Sequence, residues 1–167
     1  FDKAAKILGL EYPGGPAIEK MAKKGHAKAY KFRCDCGSGL DFSFSGIKTA
    51  VLYKVRELEK LYGRLKNETV SDICASFQES VVNDLTAKSV KAVKSTGSKI
   101  LAVGGGVAFN GYLRESLESA AQKNGFKLFI APRPYCLDNA AMVASLGARL
   151  FKTGINNRLL KLDPMAG

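Results

Sequence analysis

Lys99-Ile100-Leu101-Ala102-Val103-Gly104-Gly105-Gly106-Val107-Ala108-Phe109-Asn110 runs from a short apolar segment into three glycines and ends on an amide residue. Gly97 and Ser98 bound the segment upstream, and downstream Leu113, Leu117, Ala120 and Ala121 recur at helical spacing. The predicted order is strand, glycine turn, helix. In that context a Gly-rich turn can cradle a nucleotide, because glycines reach φ > 0 and leave the backbone open to a ligand. The following helix directs its unbonded N–H groups and positive dipole end toward the turn. Asn110 sits where a side-chain amide can read a base, a ribose or an acyl-phosphate oxygen. Taken alone, Gly104, Gly105 and Gly106 fit a structural turn as well as a nucleotide loop. They depart from the dinucleotide fingerprint G-x-G-x-x-G, since position 109 is Phe and no acidic residue follows about 20 residues on.

Outward from this stretch, Phe126-Lys127-Leu128-Phe129-Ile130 predicts a second short strand. A Pro-containing loop then reaches Asp138, and a last helix runs from Asn139 to about Thr153, followed by a tail over 156–167. Upstream, Asn67 is expected to cap a long helix that ends at Gly97, with Val70, Ile73, Cys74, Phe77, Val81 and Leu85 on its buried side. Leu40-Asp41-Phe42-Ser43-Phe44 alternates as a half-buried strand does. Ser45 is expected to cap a helix whose apolar face is Ile47, Val51, Val55, Leu58 and Tyr62. Cys34 to Gly39 reads as a loop. Tyr12-Pro13-Gly14-Gly15-Pro16 reads as a rigid turn, with Pro16 opening a helix through Ala17, Ile18, Met21 and Ala22. Strands alternating with helices in the second half indicate an α/β domain with a partly parallel sheet.

At 167 residues, 46% apolar and 25% charged, the chain has the size and composition of one ordinary globular domain. No apolar run approaches the length needed to cross a bilayer, so no membrane partner is expected. The opening Phe1-Asp2-Lys3-Ala4-Ala5-Lys6-Ile7-Leu8 has no initiator Met and no cap ahead of it, and reads as part of a helix in a longer protein. Lys and Arg number 26 against 15 Asp and Glu, a formal charge of +11, which favours an anionic partner such as RNA. The lysines are scattered and no aromatic residues interleave with them, so charge alone fits a solvated basic surface equally well. Cys34, Cys36, Cys74 and Cys136 lack zinc-ligand spacing, and the one histidine, His26, lies eight residues before Cys34. Reduced thiols are the expectation, which places the protein in the cytoplasm or an organelle matrix.

Six segments in order carry a resemblance: Phe1-Asp2-Lys3; Tyr12 to Pro16; Asp41-Phe42-Ser43-Phe44-Ser45-Gly46-Ile47-Lys48-Thr49; Ala75-Ser76-Phe77-Gln78-Glu79; Gly104 to Asn110 with Leu113-Arg114; and Tyr135-Cys136-Leu137-Asp138-Asn139-Ala140-Ala141-Met142. Together they resemble the tRNA threonylcarbamoyl-adenosine transferase family (TsaD, once called O-sialoglycoprotein endopeptidase), over nearly all 167 residues. The resemblance implies the actin-like ATPase fold shared with heat-shock chaperones and sugar kinases, in which two lobes enclose a nucleotide cleft. Residues 1–167 would be most of the C-terminal lobe, a mixed sheet flanked by helices, without the N-terminal lobe. The implied reaction transfers a threonylcarbamoyl group from threonylcarbamoyl-adenylate to N6 of the adenosine beside the anticodon, in tRNAs reading codons that begin with A. The implied partners are tRNA, an actin-like paralogue, a small ATPase and the N-terminal lobe. The implied cofactor is one divalent metal per subunit, iron or zinc.

By match to the family's motifs, Asp2, Gly15 and Asn110 correspond to adenylate-binding positions and Asp138 to a metal ligand. The chemistry is compatible. An Asp can take both ribose hydroxyls, a bare Gly lets adenosine lie close, Asn110 can hold the acyl-phosphate, and Asp138 offers a hard anionic oxygen. From the residues alone, Asp2 reads first as an exposed helix residue, Gly15 as a turn residue, and Asn110 and Asp138 as helix caps, a role that does not exclude ligand contact. Ser45, Lys48 and Thr49 read as a structural junction. The family's two histidine ligands and its first phosphate loop have no counterpart here, so one chain holds half a site, whose covering face is expected to be exposed and apolar. The alternatives are a catalytically inactive actin-like scaffold and an actin-like sugar or acetate kinase. A peptidase has no support, since there is no H-E-x-x-H and only one histidine.

Overall fold

The computed structural model describes residues 1–34, 37 and 39–154. Four helices come first: α1 (Asp2–Ile7), α2 (Gly14–Ala22), α3 (Ser45–Tyr62) and α4 (Asn67–Thr96). Next come β1 (Ile100–Val103), a 3-10 turn (Gly106–Phe109), α5 (Gly111–Asn124) and β2 (Lys127–Ile130). A second 3-10 turn (Arg133–Tyr135) precedes α6 (Ala140–Lys152). The two strands are parallel, with Ile100 opposite Lys127 and Val103 opposite Ile130, so β1, α5 and β2 form one crossover unit. The expected α/β class and parallel pairing are thus present, but the sheet is two parallel strands among the described residues and not the mixed sheet expected of the lobe.

The 30 residues of α4 run through both cores; at 1.5 Å per residue the helix is about 45 Å long. Its first half carries Val70, Ile73, Cys74, Phe77 and Val81 at helical spacing. These pack with Ala4 and Ala5 of α1, Ile18 of α2, and Ile47, Val51 and Val55 of α3. Its second half packs a different core: Val82 against Leu113 and Leu117 of α5, then Val93 against Ala121 and Phe126, with Leu101 and Leu128 of the strands on both. Gly97, at φ 66°, takes the left-handed conformation that stops the helix. The opposite side of the strands carries exposed Ile100 and Phe129. The apolar residues of α6 (Met142, Val143, Leu146, Phe151) are exposed as well.

Several local expectations are corrected. Residues 41–44 make no strand: none lies alongside them among the described residues, and the backbone is held by Lys88 Nζ donating to Asp41 O at 2.7 Å. The alternation still puts Phe42 and Phe44 on one side, where their rings stack at 6.0 Å. Ser45 and Asn67 are themselves the first helical residues of α3 and α4, so the cap positions fall to Phe44 and Lys66 and neither helix has a side-chain cap bond. α2 begins at Gly14, with Pro13 as its cap residue, which puts Pro16 third in the helix and not first. The Cys34–Gly39 loop falls partly, and the tail from Asn156 wholly, outside the described residues.

Candidate functional site

A cleft of about 580 Å³ opens where α1, the start of α2 and the 3-10 turn converge. It gathers residues far apart in sequence, among them Asp2, Gly15, Glu19, Gly106 and Asn110. Its rim is apolar and open, with Tyr12, Val107, Phe109 and Leu137 all exposed. An apolar wall with a few convergent polar groups is the make-up of a small-molecule site.

Asp2 does more than face solvent from α1. Its Oδ1 accepts the N–H of Gly14 at 2.8 Å, which sets a carboxylate against the positive end of α2. α1 and α2 touch closely enough to explain Gly14: a Cβ there would lie 2.7 Å from the Cβ of Ala5 and 2.7 Å from the Cα of Asp2. Gly15 is different. It lies in a helix without a positive φ, and beyond its chain neighbours and its own helix backbone a Cβ on it would meet nothing within 4 Å. Neither a turn nor internal crowding requires glycine at 15; the space beside it belongs to the cleft.

Asn110 is buried at 7% exposure and is the cap of α5, its Oδ1 accepting the Leu113 N–H at 2.9 Å. Its Nδ2 donates to Oε1 of Gln78 at 2.9 Å. Capping and cleft lining coexist in this residue. Of the three glycines, Gly105 takes φ 87° and Gly106 lines the cleft. The expectation that α5 points unbonded N–H groups at them is corrected. The 3-10 turn intervenes, and a carboxylate of this chain already occupies the helix end, Glu19 Oε1 accepting from Gly111 N at 3.1 Å.

Asp138 is exposed, and it does not cap α6; Asn139 does, its Oδ1 accepting from Met142 N at 2.9 Å. Its neighbour Leu137 lines the cleft. Among the described residues no three His, Cys, Asp or Glu side chains are grouped so as to hold a metal. One exposed carboxylate cannot retain a transition ion against water. The described residues do not make a metal centre by themselves, and no chemical step is derived through one.

Gln78, Glu79 and Arg114 fall within the segments that carry the resemblance, but no spacing in the sequence signals the bonds they make. Gln78 leaves a trace there, a polar residue four positions from buried Cys74 and four from buried Val82, on the inner face of α4. Beside it Glu79 accepts the phenolic hydrogen of Tyr112, whose hydroxyl is pushed up to about 12 first by that bond and then by burial. Arg114 Nε donates to Ala108 O at 2.7 Å and its Nη2 to Ala131 O at 2.6 Å, joining the 3-10 turn to the exit of β2. No sequence spacing announces this bridge or that of Glu19.

The family model for TsaD, tRNA N6-adenosine threonylcarbamoyltransferase, matches residues 1–145. The chain belongs to the TsaD family. The TsaD match takes in every cleft residue and Asp138, and stops inside α6. A relative named tRNA N6-adenosine threonylcarbamoyltransferase from Dictyoglomus turgidum is 46% identical over 159 residues, 95% of this chain and 47% of the relative. Another TsaD relative of that name, from Christiangramia forsetii, is 48% identical over 147 residues, 88% of this chain and 43% of its own length. One from Thermosipho africanus is 43% identical over 159 residues, 94% of this chain and 47% of its own. The chain spans about half the length of the curated TsaD relatives it matches.

Proposed function

We propose that this chain is the C-terminal, adenylate-holding lobe of an actin-like tRNA N6-adenosine threonylcarbamoyltransferase. In the reaction, N6 of the tRNA adenosine attacks the carbamoyl carbon of threonylcarbamoyl-adenylate. A C–N bond forms, the C–O bond to phosphate breaks, AMP leaves with the electron pair, and N6 loses a proton. This chain's part is to hold and orient the leaving nucleotide, which turns a collision of two substrates into a positioned transfer. The Asp2 carboxylate accepts the ribose hydroxyls. The open backbone at Gly15 lets the adenosine lie against α2. Asn110 donates to the acyl-phosphate, and the turn Gly104 to Gly106, which lines the cleft at Gly106, lies beside it. Asp138 would offer one oxygen to an iron or zinc ion whose other ligands would come from the N-terminal lobe, and an actin-like paralogue, a small ATPase and tRNA are the partners. The cytoplasm or an organelle matrix is the setting.

The observation that carries this reading is that Asp2, Gly15 and Asn110, from three separate segments of a TsaD chain, line one cleft. The test uses the full-length protein with its partner proteins, threonine, bicarbonate, ATP and tRNA, and nucleoside mass spectrometry. Threonylcarbamoyl-adenosine should form. Asp2→Asn keeps an oxygen for Gly14 N but removes the charge, and should raise KM for the adenylate about tenfold. No modified nucleoside from the wild type, or an unchanged KM in Asp2→Asn, would overturn the assignment.

A further inference from the structure

We infer that Gln78 is a positioning residue for the adenylate: its side-chain carbonyl fixes the amide of Asn110 in the orientation the cleft uses. The inference rests on the reading of Asn110 given above. Gln78 is 7% exposed, on the face of α4 that also buries Cys74 and Val82 at 0%. An amide in such a place is costly unless bonded, and its Oε1 is bonded, to Asn110 Nδ2 at 2.9 Å.

The bond does something a cap does not need. Capping α5 requires only an oxygen at position 110, and Ser, Thr or Asp supplies one. Asn110 adds a second commitment. Its Oδ1 takes the Leu113 N–H while its Nδ2 gives one hydrogen to Gln78. Flipping the amide would oppose donor to donor at Leu113 and oxygen to oxygen at Gln78, so only one orientation survives. The second Nδ2 hydrogen is then the one donor the side chain has left, on a residue that lines the cleft. An Asp at 110 would keep the cap, lose that donor and set its oxygen against Gln78.

The anchorage is wider than one bond. Glu19 of α2 holds Gly111 N at 3.1 Å, and Glu79 of α4 holds the Tyr112 hydroxyl. Residues 110 to 112 are therefore gripped in turn by Gln78, Glu19 and Glu79, two of which sit side by side on α4. A binding group held on both sides by packed helices presents its donor without first having to be ordered.

The experiment uses the full-length enzyme with its partners and synthesised threonylcarbamoyl-adenylate. Gln78→Met keeps the volume but removes the acceptor; Gln78→Glu keeps an acceptor in nearly the same shape; Gln78→Asn withdraws the acceptor on a shorter arm. Loss of one hydrogen bond predicts that Gln78→Met and Gln78→Asn raise KM for the adenylate about tenfold, with kcat within about twofold. Gln78→Glu should stay within about threefold of wild-type KM. In an Asn110→Ala background, Gln78→Met should raise KM no further, because its whole effect passes through Asn110. If Gln78→Met fails to fold, Gln78→Asn carries the test. An unchanged KM in both, equal damage from Gln78→Glu, or a full additional loss on Asn110→Ala would overturn the inference. An inactive wild type would instead overturn the proposed function.

Discussion

A methyl group added at Gly15 meets nothing within 4 Å beyond its own helix backbone and chain neighbours, whereas the same methyl at Gly14 would press on Ala5 and on the backbone of Asp2 at 2.7 Å. Adjacent glycines in one helix should therefore respond in opposite ways. Gly15→Ala should leave the urea midpoint unchanged or raise stability by about 0.5 kcal/mol, since Ala orders less freely in the unfolded chain. It should still weaken adenylate binding in the full-length enzyme. Gly14→Ala should cost about 2 kcal/mol, because the neighbours are a helix backbone and a buried methyl. Urea denaturation of both variants, with adenylate KM for the first, checks the pair. A second residue-scale prediction concerns pH. Burial pushes the Cys74 thiol from 9.0 up to about 12, and Tyr112 is pushed from 10.0 up to about 12. Both shifts favour the neutral form in the fold, so their contribution is complete below pH 9.0 and is lost as pH rises toward about 12. Iodoacetamide at about pH 8 should leave Cys74 unlabelled until urea unfolds the protein. Tyr112→Phe should flatten the part of the alkaline decline that lies above pH 10.0.

At the scale of elements, the caps separate what a sequence tells from what it does not. Asn110 and Asn139 accept bonds from Leu113 and Met142; Ser45 and Asn67, equally good cap types, make none. The distinction is one residue of register. Before Asn110 a 3-10 turn (Gly106–Phe109) fixes where the helix begins, whereas α3 and α4 start on the polar residue itself. Asn110→Ala should accordingly cost about 1–2 kcal/mol, and Ser45→Ala and Asn67→Ala less than about 0.5, measured by urea melts of the three variants. Residues 40–44 teach a related lesson, for alternation reports which side chains share a face but not whether a partner strand exists. The strand, glycine turn and helix at 100–124 were legible because a local pattern and a local structure coincide there. The contacts of Gln78, Glu19 and Arg114 were not, although Gln78 and Arg114 lie in the resemblance motifs, because each acts on a segment at least six residues away through a contact that no spacing encodes.

Over the whole molecule, the +11 charge is spread across helices and gathered into no tract, so it should attract tRNA without reading its sequence. Filter binding of tRNA should show affinity falling about tenfold or more between about 50 and 200 mM salt, with little preference among tRNAs. Binding that ignores salt would leave the charge without that role. The cleft was foreshadowed by resemblance more than by pattern: Asp2, Gly15 and Asn110 share no local signal, and only packing brings them to one place. That packing runs through α4, whose first half belongs to the core holding α1 and α2 and whose second half belongs to the core holding α5 and the strands. A helix shared in this way cannot fray on behalf of one core and spare the other. In native-state hydrogen exchange the amides in the middle of α4 should exchange at a common rate with the most protected amides on both sides, as one cooperative unit with no intermediate opening. The two walls of the cleft would then appear and vanish together, so ligand occupancy would report on the integrity of both cores at once.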